Sequence, residues 1–260
     1  APVTLGYLIG DAVTVQARAK GLTEAYTKLH PNVTFDIQTV PGGAEGDNAL
    51  KTQLATGTAP DLIWYNSAAL LSNINPEKSL VDLTNEPYIA NIVETPIPSL
   101  SVNGKVYGVP SEDAGAAGIL YNKKIYSDLV LSVPKTWAEF AANNEKIKAS
   151  GIAPVGASFG DTWTSQFMFL ADYCNVQNAV PDFAQQFTAG TAKFETTPAG
   201  LAGFSKLEDG FKNGWWQEDF GATKFPDALN MLIDGKIAQY PTASFAIGVI
   251  AGINPAALEN

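Results

Sequence analysis

The chain has 260 residues, 46% of them hydrophobic and 16% charged, with 26 acidic against 16 basic residues and a net charge of −10. One arginine, one histidine and one cysteine (Arg18, His30 and Cys174) exclude nucleic-acid or anionic-membrane binding through clustered cations, multi-His and Cys-based metal centres, an internal disulfide, and any His-dependent triad that does not run through His30. The length admits one large or two modest domains, and no apolar run approaches the roughly 20 residues that cross a bilayer. In chain order, residues 3–9 predict a strand rich in β-branched and aromatic residues. Residues 14–30 predict a helix, with Val15, Ala19, Leu22, Tyr26 and Leu29 as its buried stripe and His30-Pro31 as its end. Val33, Phe35 and Ile37 alternate as a half-buried strand over 33–37. A glycine-rich loop, 41–46, leads to a helix from about Asp47 to Thr56 that ends at Gly57, and 61–65 predict a buried strand. This order of strand, helix, strand, helix, strand points to a parallel α/β layer.

The pattern changes near residue 100. Residues 101–107 predict a hairpin with Asn103-Gly104 as a type I′ turn, which Gly108-Val109-Pro110 ends. A strand is expected at 117–121. Thr136 and Glu139 form a capping box for a helix that reaches Ser150 and stops at Gly151. A short strand is expected at 154–157. From 163 the chain reads as mostly helical, with Leu201, Phe204, Leu207 and Phe211 as a packed stripe and Pro198 in the first turn. A last strand is expected at 236–240. The division is an α/β first part, 1–108, and a helix-rich α/β second part, 109–260, with the crossover at 107–114.

Five segments together resemble a known family: Gly57-Thr58-Ala59-Pro60-Asp61-Leu62, Gly104-Lys105-Val106-Tyr107-Gly108-Val109-Pro110, Tyr121-Asn122-Lys123-Lys124, Pro134-Lys135-Thr136-Trp137-Ala138-Glu139-Phe140 and Asp234-Gly235-Lys236-Ile237-Ala238-Gln239-Tyr240. In order and spacing they are similar to the sugar-type bacterial extracellular solute-binding proteins of ABC importers. The resemblance implies an α/β, two-lobed, periplasmic-binding-protein-like fold, each lobe a mostly parallel sheet flanked by helices. It implies a receptor that encloses a sugar or oligosaccharide by hinged closure, with the ligand favouring the closed population. The receptor would deliver its ligand to a membrane permease, without a cofactor and without chemistry on the ligand. It also implies a monomer in the periplasm or outside the cell, held by a lipid in its full-length precursor. The chain begins Ala1-Pro2-Val3 without Met, in keeping with export and processing. Members are usually considerably longer than 260 residues, and a fragment lacking the later return segments is expected to bind sugar weakly or not at all. Where the family commonly has a tryptophan after the last segment, this chain has Phe245.

Sugars need flat aromatic faces for their C–H surfaces and carboxylates or amides for their hydroxyls. The candidates stand in predicted loops at strand ends: Asp11, Glu45, Asp47, Tyr65 and Asn66 in the first part, Glu112 and Asp113 at the crossover, and Trp163, Trp215, Trp216 and Phe245 in the second. Asp11 competes with an N-cap role. Strand alternation turns Trp64 and Tyr65 opposite ways, and Tyr65 or Asn66 is favoured for the ligand. Trp137 reads as packing, His30 as a surface or cap residue, and Cys174 as buried and inert. A glycoside hydrolase is the alternative function, but it needs a spaced carboxylate pair, and the adjacent Glu112 and Asp113 would point apart on extended chain. An adhesive domain, with Trp163 and Trp215 both in the core, is the third reading.

Overall fold

The computed structural model describes residues 1–111 and 115–259. The chain divides into two compact units, Ala1–Ala114 and Gly115–Asn260.

In the first unit, β1 (Val3–Gly10) leads to α1 (Val13–Leu29), β2 (Val33–Val40), α2 (Ala44–Thr56) and the two-residue β3 (Leu62–Ile63). Both partners of β1 run parallel to it, in the order β2-β1-β3. The crossovers α1 and α2 supply the helical cover that parallel pairing requires. Helix α1 ends at His30, whose ring stacks on Tyr26 with centroids 4.4 Å apart. Its packed face differs from the expected stripe. Val15, Ala19 and Thr23 are buried, whereas Leu22, Tyr26 and Leu29 are exposed. The Thr23 hydroxyl donates to the carbonyls of Ala19 and Lys20, so the polar side chain is satisfied inside the helix. Helix α2 starts three residues earlier than expected and stops at Gly57, whose φ of 69° no β-carbon opposes. The expected buried strand 61–65 is shorter and more exposed than its composition implies. It pairs through Tyr7↔Leu62 and Leu8↔Ile63 only.

Two short helices, α3 (Ala69–Asn73) and α4 (Pro76–Ser79), precede the hairpin of β4 (Ser101–Val102) and β5 (Lys105–Val106). Asn103 (φ 50°) and Gly104 (φ 77°) form the expected turn of positive-φ residues. The segment 82–84 fastens onto the hairpin: Leu83 N–H donates to the Val106 carbonyl and Val106 N–H to the Thr84 hydroxyl. Tyr107 then enters a core with Leu71 and Ile74.

The second unit runs β6 (Ala117–Tyr121), α5 (Lys123–Asp128), α6 (Trp137–Ala149), β7 (Ala153–Val155), α7 (Phe167–Ala179), α8 (Phe183–Thr188), α9 (Pro198–Lys212), α10 (Phe225–Ile233), β8 (Ile237–Ala243) and α11 (Phe245–Ile253). Its sheet, β6-β8-β7, is mixed: β7 is parallel to the central β8 and β6 is antiparallel to it. Strand β8 is buried along its whole length. At the start of α6 the Thr136 hydroxyl accepts from Glu139 N–H at 3.2 Å. The Glu139 carboxylate reaches back to Lys135 N–H at 2.7 Å, one residue beyond the usual capping box.

Helix α9 keeps one residue of the expected stripe inward, Leu207 against the core of Phe140 and Trp215, and departs from the rest of it. Gly200, Gly203 and Gly210 are buried, while Leu201, Phe204 and Phe211 are exposed, Phe211 at 66%. The glycine face lets aromatic rings lie directly on the helix backbone. Cys174 is also exposed, because α7 turns Phe167, Met168 and Val176 inward instead.

Candidate functional site

In the first unit the three parallel strands end together. Asp11 N–H donates to the Val40 carbonyl and Trp64 N–H to the Leu8 carbonyl. The loops after β1, β2 and β3 therefore meet at the carboxyl edge of the sheet, where open α/β sheets bind ligands. Trp64 is drawn off that edge into the core of Ile9, Val15 and Ala19. Its ring lies under Gly10, where a β-carbon would come within 3.2 Å.

Asp47 and Tyr65 come together at this edge. The Tyr65 hydroxyl donates to Asp47 Oδ1, and Lys51 Nζ lies 2.5 Å from Asp47 Oδ2. Asp47 also sits in the first turn of α2, where the helix dipole favours an anion. One carboxylate thus holds the Tyr65 hydroxyl while a cation one helical turn away balances its charge. Lys51 was not foreseen, although its i,i+4 spacing from Asp47 is a legible signal. The side chains of Asp11, Glu45 and Asn66 are exposed. Asp11 is not the N-cap of α1. That position is Ala12, which offers no side-chain cap, while the Asp11 carbonyl accepts from Gln16 Nε2 at 2.7 Å. Glu112 and Asp113 lie outside the described residues. An open depression of about 550 Å³, lined by Glu24, Lys28, Pro31 and Phe35 among others, lies at the start of β2, the opposite edge of the sheet.

In the second unit Trp163 and Phe245 are brought together across 82 positions of sequence, with centroids 6.2 Å apart and planes at 37°. Phe225 and Phe167 complete the group. Trp163 lies 5.1 Å from Phe225 and 5.6 Å from Phe167, and Phe245 lies 5.8 Å from Phe225. Phe225 and Trp163 anchor the shelf on the core of Leu229, Tyr240 and Ile250. Phe245, 45% exposed, carries the shelf to the surface.

Local chemistry sets this geometry. Asp161 Oδ2 accepts from Phe225 N–H at 2.8 Å, which ties the loop before Trp163 to the start of α10. Gly160 makes that approach possible. Its N–H donates to the Thr223 carbonyl, and a β-carbon there would sit 2.5 Å from the Ala222 carbonyl oxygen. Thr164 and Ser158 bond to each other and Ser158 to Tyr240, all buried. Burial pushes the Tyr240 phenol up to about 12 against the opposing effect of the Ser158 hydrogen bond. At the other end, Ser244 N–H donates to the Ala116 carbonyl and Ala116 N–H to the Ser244 hydroxyl, which fixes the residue before Phe245.

Trp215 and Trp216 do not join the shelf. Trp215 is 2% exposed, packed on Phe140, Val155 and Met168, with Nε1–H bonded to Glu145 at 2.7 Å. Both its ring and its N–H are consumed by the core, so Trp215 is the packed member of a pair of which one is expected in the core, and it leaves the set of ligand candidates. Trp216 is half-buried against Gly210 and Phe159. The cavity it borders with Ser158, Thr164 and Tyr240 has a volume of about 10 Å³, the scale of a single water and far below a sugar. Trp137 packs as expected, stacked on Phe140 at 5.0 Å. Phe167 and Phe225 are shelf residues that the sequence did not single out. The Phe-Pro at the start of α10 marks a helix end but says nothing of what its ring meets. Among the described residues no group of His, Cys, Asp and Glu is placed to hold a metal, and no helix is long and apolar enough to cross a membrane.

Comparison with known proteins adds a second line of observation. The sequence profile of the bacterial extracellular solute-binding proteins matches residues 11–259. A multiple sugar-binding protein of Streptococcus mutans is 25% identical over 260 residues, covering 97% of this chain and 60% of its own length. A solved chitin oligosaccharide binding protein superposes with a TM-score of 0.80 at 27% identity, covering 96% of this chain and 63% of that one. The solute-binding protein RafE in complex with raffinose superposes with a TM-score of 0.74 at 26% identity, covering 97% and 65%. The chain thus spans less than two thirds of the length of each of these relatives.

Proposed function

The chain belongs to the bacterial extracellular solute-binding protein family, and from that premise we propose that the protein is a carbohydrate receptor. It takes up a sugar or oligosaccharide outside the cytoplasm, by the hinged closure the resemblance implies. It hands the ligand, chemically unchanged, to the membrane permease of an ABC importer. The observation that carries this reading is the aromatic shelf of Trp163 and Phe245, anchored by Phe167 and Phe225 and open to solvent at Phe245. Such rings match the apolar C–H faces of a pyranose. The Asp47–Tyr65 pair at the carboxyl edge of the first sheet supplies a hydroxyl and carboxylate oxygens for sugar hydroxyls, and Asn66 and Asp11 supply further polar groups. Glu45 serves as an outer polar contact.

The protein acts by binding alone. Asp161 is engaged by the Phe225 amide, and Asp47 by Tyr65 and Lys51 with acceptor capacity left for sugar hydroxyls, which suits recognition rather than proton transfer. The test is a thermal-shift screen of the chain against a panel that includes raffinose, chitin oligosaccharides and simple hexoses. A ligand that binds the folded state raises Tm in a concentration-dependent way. Because the chain spans less than two thirds of its relatives, the shift is expected to be small and to need high sugar concentration, but at least one sugar is expected to produce it and to be recovered intact. Absence of a shift across the panel would overturn the proposal, and so would hydrolysis of a panel sugar by the pure protein.

A further inference from the structure

The sequence holds two Asn-Gly pairs, Asn103-Gly104 and Asn213-Gly214, and the fold treats them differently. Asn-Gly is the dipeptide most prone to self-modification, because a glycine leaves the backbone amide unshielded. That amide nitrogen, on losing its proton to solvent, attacks the Asn side-chain carbonyl carbon. A C–N bond forms, the side-chain amide leaves as ammonia after taking up a proton, and a five-membered succinimide remains. Water then opens the ring at either carbonyl and leaves aspartate or isoaspartate. Water is the only co-reactant.

We infer that the fold singles out Asn103 as its deamidation site and protects Asn213. The Gly214 N–H is engaged: it donates to the Phe211 carbonyl at 3.0 Å in the turn that ends α9. Lys148 stands beside the same glycine. A β-carbon on Gly214 would lie 3.2 Å from Lys148 Nζ, which itself donates to the Asn213 carbonyl at 2.7 Å. Asn213 and Gly214 are exposed as well, so the difference lies in the hydrogen bond: attack there requires breaking the bond that ends the helix.

The Asn103 pair stands at the tip of the β4–β5 hairpin. Both residues are exposed, and the space a β-carbon on Gly104 would occupy meets no atom within 4 Å. Solvent base therefore reaches the Gly104 amide. The Asn103 side chain is held only at the surface, by Nδ2 donating to Glu77 Oε1 at 2.9 Å.

The product disturbs what the turn secures. An aspartate at 103 sets a second carboxylate where an amide N–H met Glu77, and like charges repel there. An isoaspartate adds a methylene to the backbone of a two-residue turn that depends on positive φ at both positions. The hairpin has two residue pairs, and Tyr107 N–H follows it directly onto the Leu100 carbonyl. Conversion therefore loosens the anchor of Tyr107, a member of the core with Leu71 and Ile74.

The experiment ages the folded chain in mildly alkaline buffer, with a denatured sample alongside, and maps peptides by mass and by isoaspartate detection. In the denatured chain the two Asn-Gly pairs are expected to convert at similar rates. In the folded chain the peptide carrying Asn103 is expected to convert several-fold faster than that carrying Asn213. Amides 105–107 are expected to lose hydrogen-exchange protection in the converted fraction. Equal folded-state rates would overturn the inference. So would faster conversion at Asn213, the result expected if the Lys148 ammonium acidifies the Gly214 amide more than the hydrogen bond shields it. Unchanged protection at 105–107 would overturn the proposed consequence. An Asn103→Asp variant reads the aspartate part of that consequence without ageing, the isoaspartate part being read in the aged fraction alone.

Discussion

Alanine placed at Gly210 and at Gly21 should move stability in opposite directions, although both glycines lie inside helices and neither has positive φ. The helix-propensity gain is shared, about 0.5–1 kcal/mol for replacing an interior glycine by alanine. At Gly21 a β-carbon meets nothing within 4 Å, so that gain stands alone. At Gly210 the β-carbon would lie 2.3 Å from Trp216 Cζ2 and 2.5 Å from Cε2. Those distances are far inside the roughly 3.5–4 Å of ordinary carbon contact. The indole cannot recede freely, because Phe159 packs against it at 5.9 Å. Overpacking of this kind costs about 1–3 kcal/mol, which leaves a net loss on the order of 0.5–2 kcal/mol. Urea unfolding read by tryptophan emission and far-UV circular dichroism measures both variants. Four of the five tryptophans report the second unit and Trp64 the first. Stabilisation by Gly210→Ala comparable to that by Gly21→Ala would refute the view that the buried face of α9 is a bed for aromatic rings.

Asp82 carries a pH prediction. Its carboxylate accepts from the Thr84 hydroxyl and amide and pairs with Lys105, and these partners, Thr84 foremost, hold it at about 2 against an ordinary 3.8. A lowered folded value gives a contribution fully present above 3.8 and lost as pH falls through about 2. Asp82→Asn should flatten the acid limb of hydrogen-exchange protection at Val106, while an unchanged limb would discount the link. Tyr240, raised to about 12, should stay neutral well above the ordinary 10, and an ultraviolet titration should show its ionisation coinciding with alkaline unfolding. Trp215→Ala should cost about 3–5 kcal/mol as a core aromatic deletion and should act on stability rather than on sugar recognition. Normal stability with lost binding would reverse its assignment to the core.

Much of the local structure is legible in the residues, and the failures have particular causes. Strands β1 and β6, the Gly57 helix stop and the Asn103-Gly104 turn depend on backbone chemistry confined to a few neighbouring positions, and they stand where expected. The burial of helix faces does not. Apolar spacing on α9 points Leu201, Phe204 and Phe211 inward, but rings from elsewhere, Phe169, Phe194 and Trp216, fit only over its glycines. Cys174 and, on α1, Leu22, Tyr26 and Leu29 also lie exposed against their apolar spacing. Among the candidate ligand residues, Trp215 and Trp216 are equivalent in sequence. At the isolated bridge between Val155 and Trp216 the chain turns one into the Phe140 core and the other toward Phe159 and Gly210, with Glu145 accepting the N–H of the first. Trp163 and Phe245 share no local signal. They meet because Asp161 ties one loop to α10 while Ser244 ties the other to the start of β6.

If the aromatic shelf takes the face of a sugar, titrating the chain with the sugars that pass the thermal screen will change its tryptophan emission. The wild type is compared with Trp163→Ala and Phe245→Ala after circular dichroism shows both variants folded. A saturable change in the wild type is expected, absent in Trp163→Ala and shifted to higher sugar concentration in Phe245→Ala. Saturation of Phe245→Ala at wild-type sugar concentrations, together with undiminished Tm protection of Trp163→Ala by the same sugar, would mean that the sugar binds elsewhere than on the shelf.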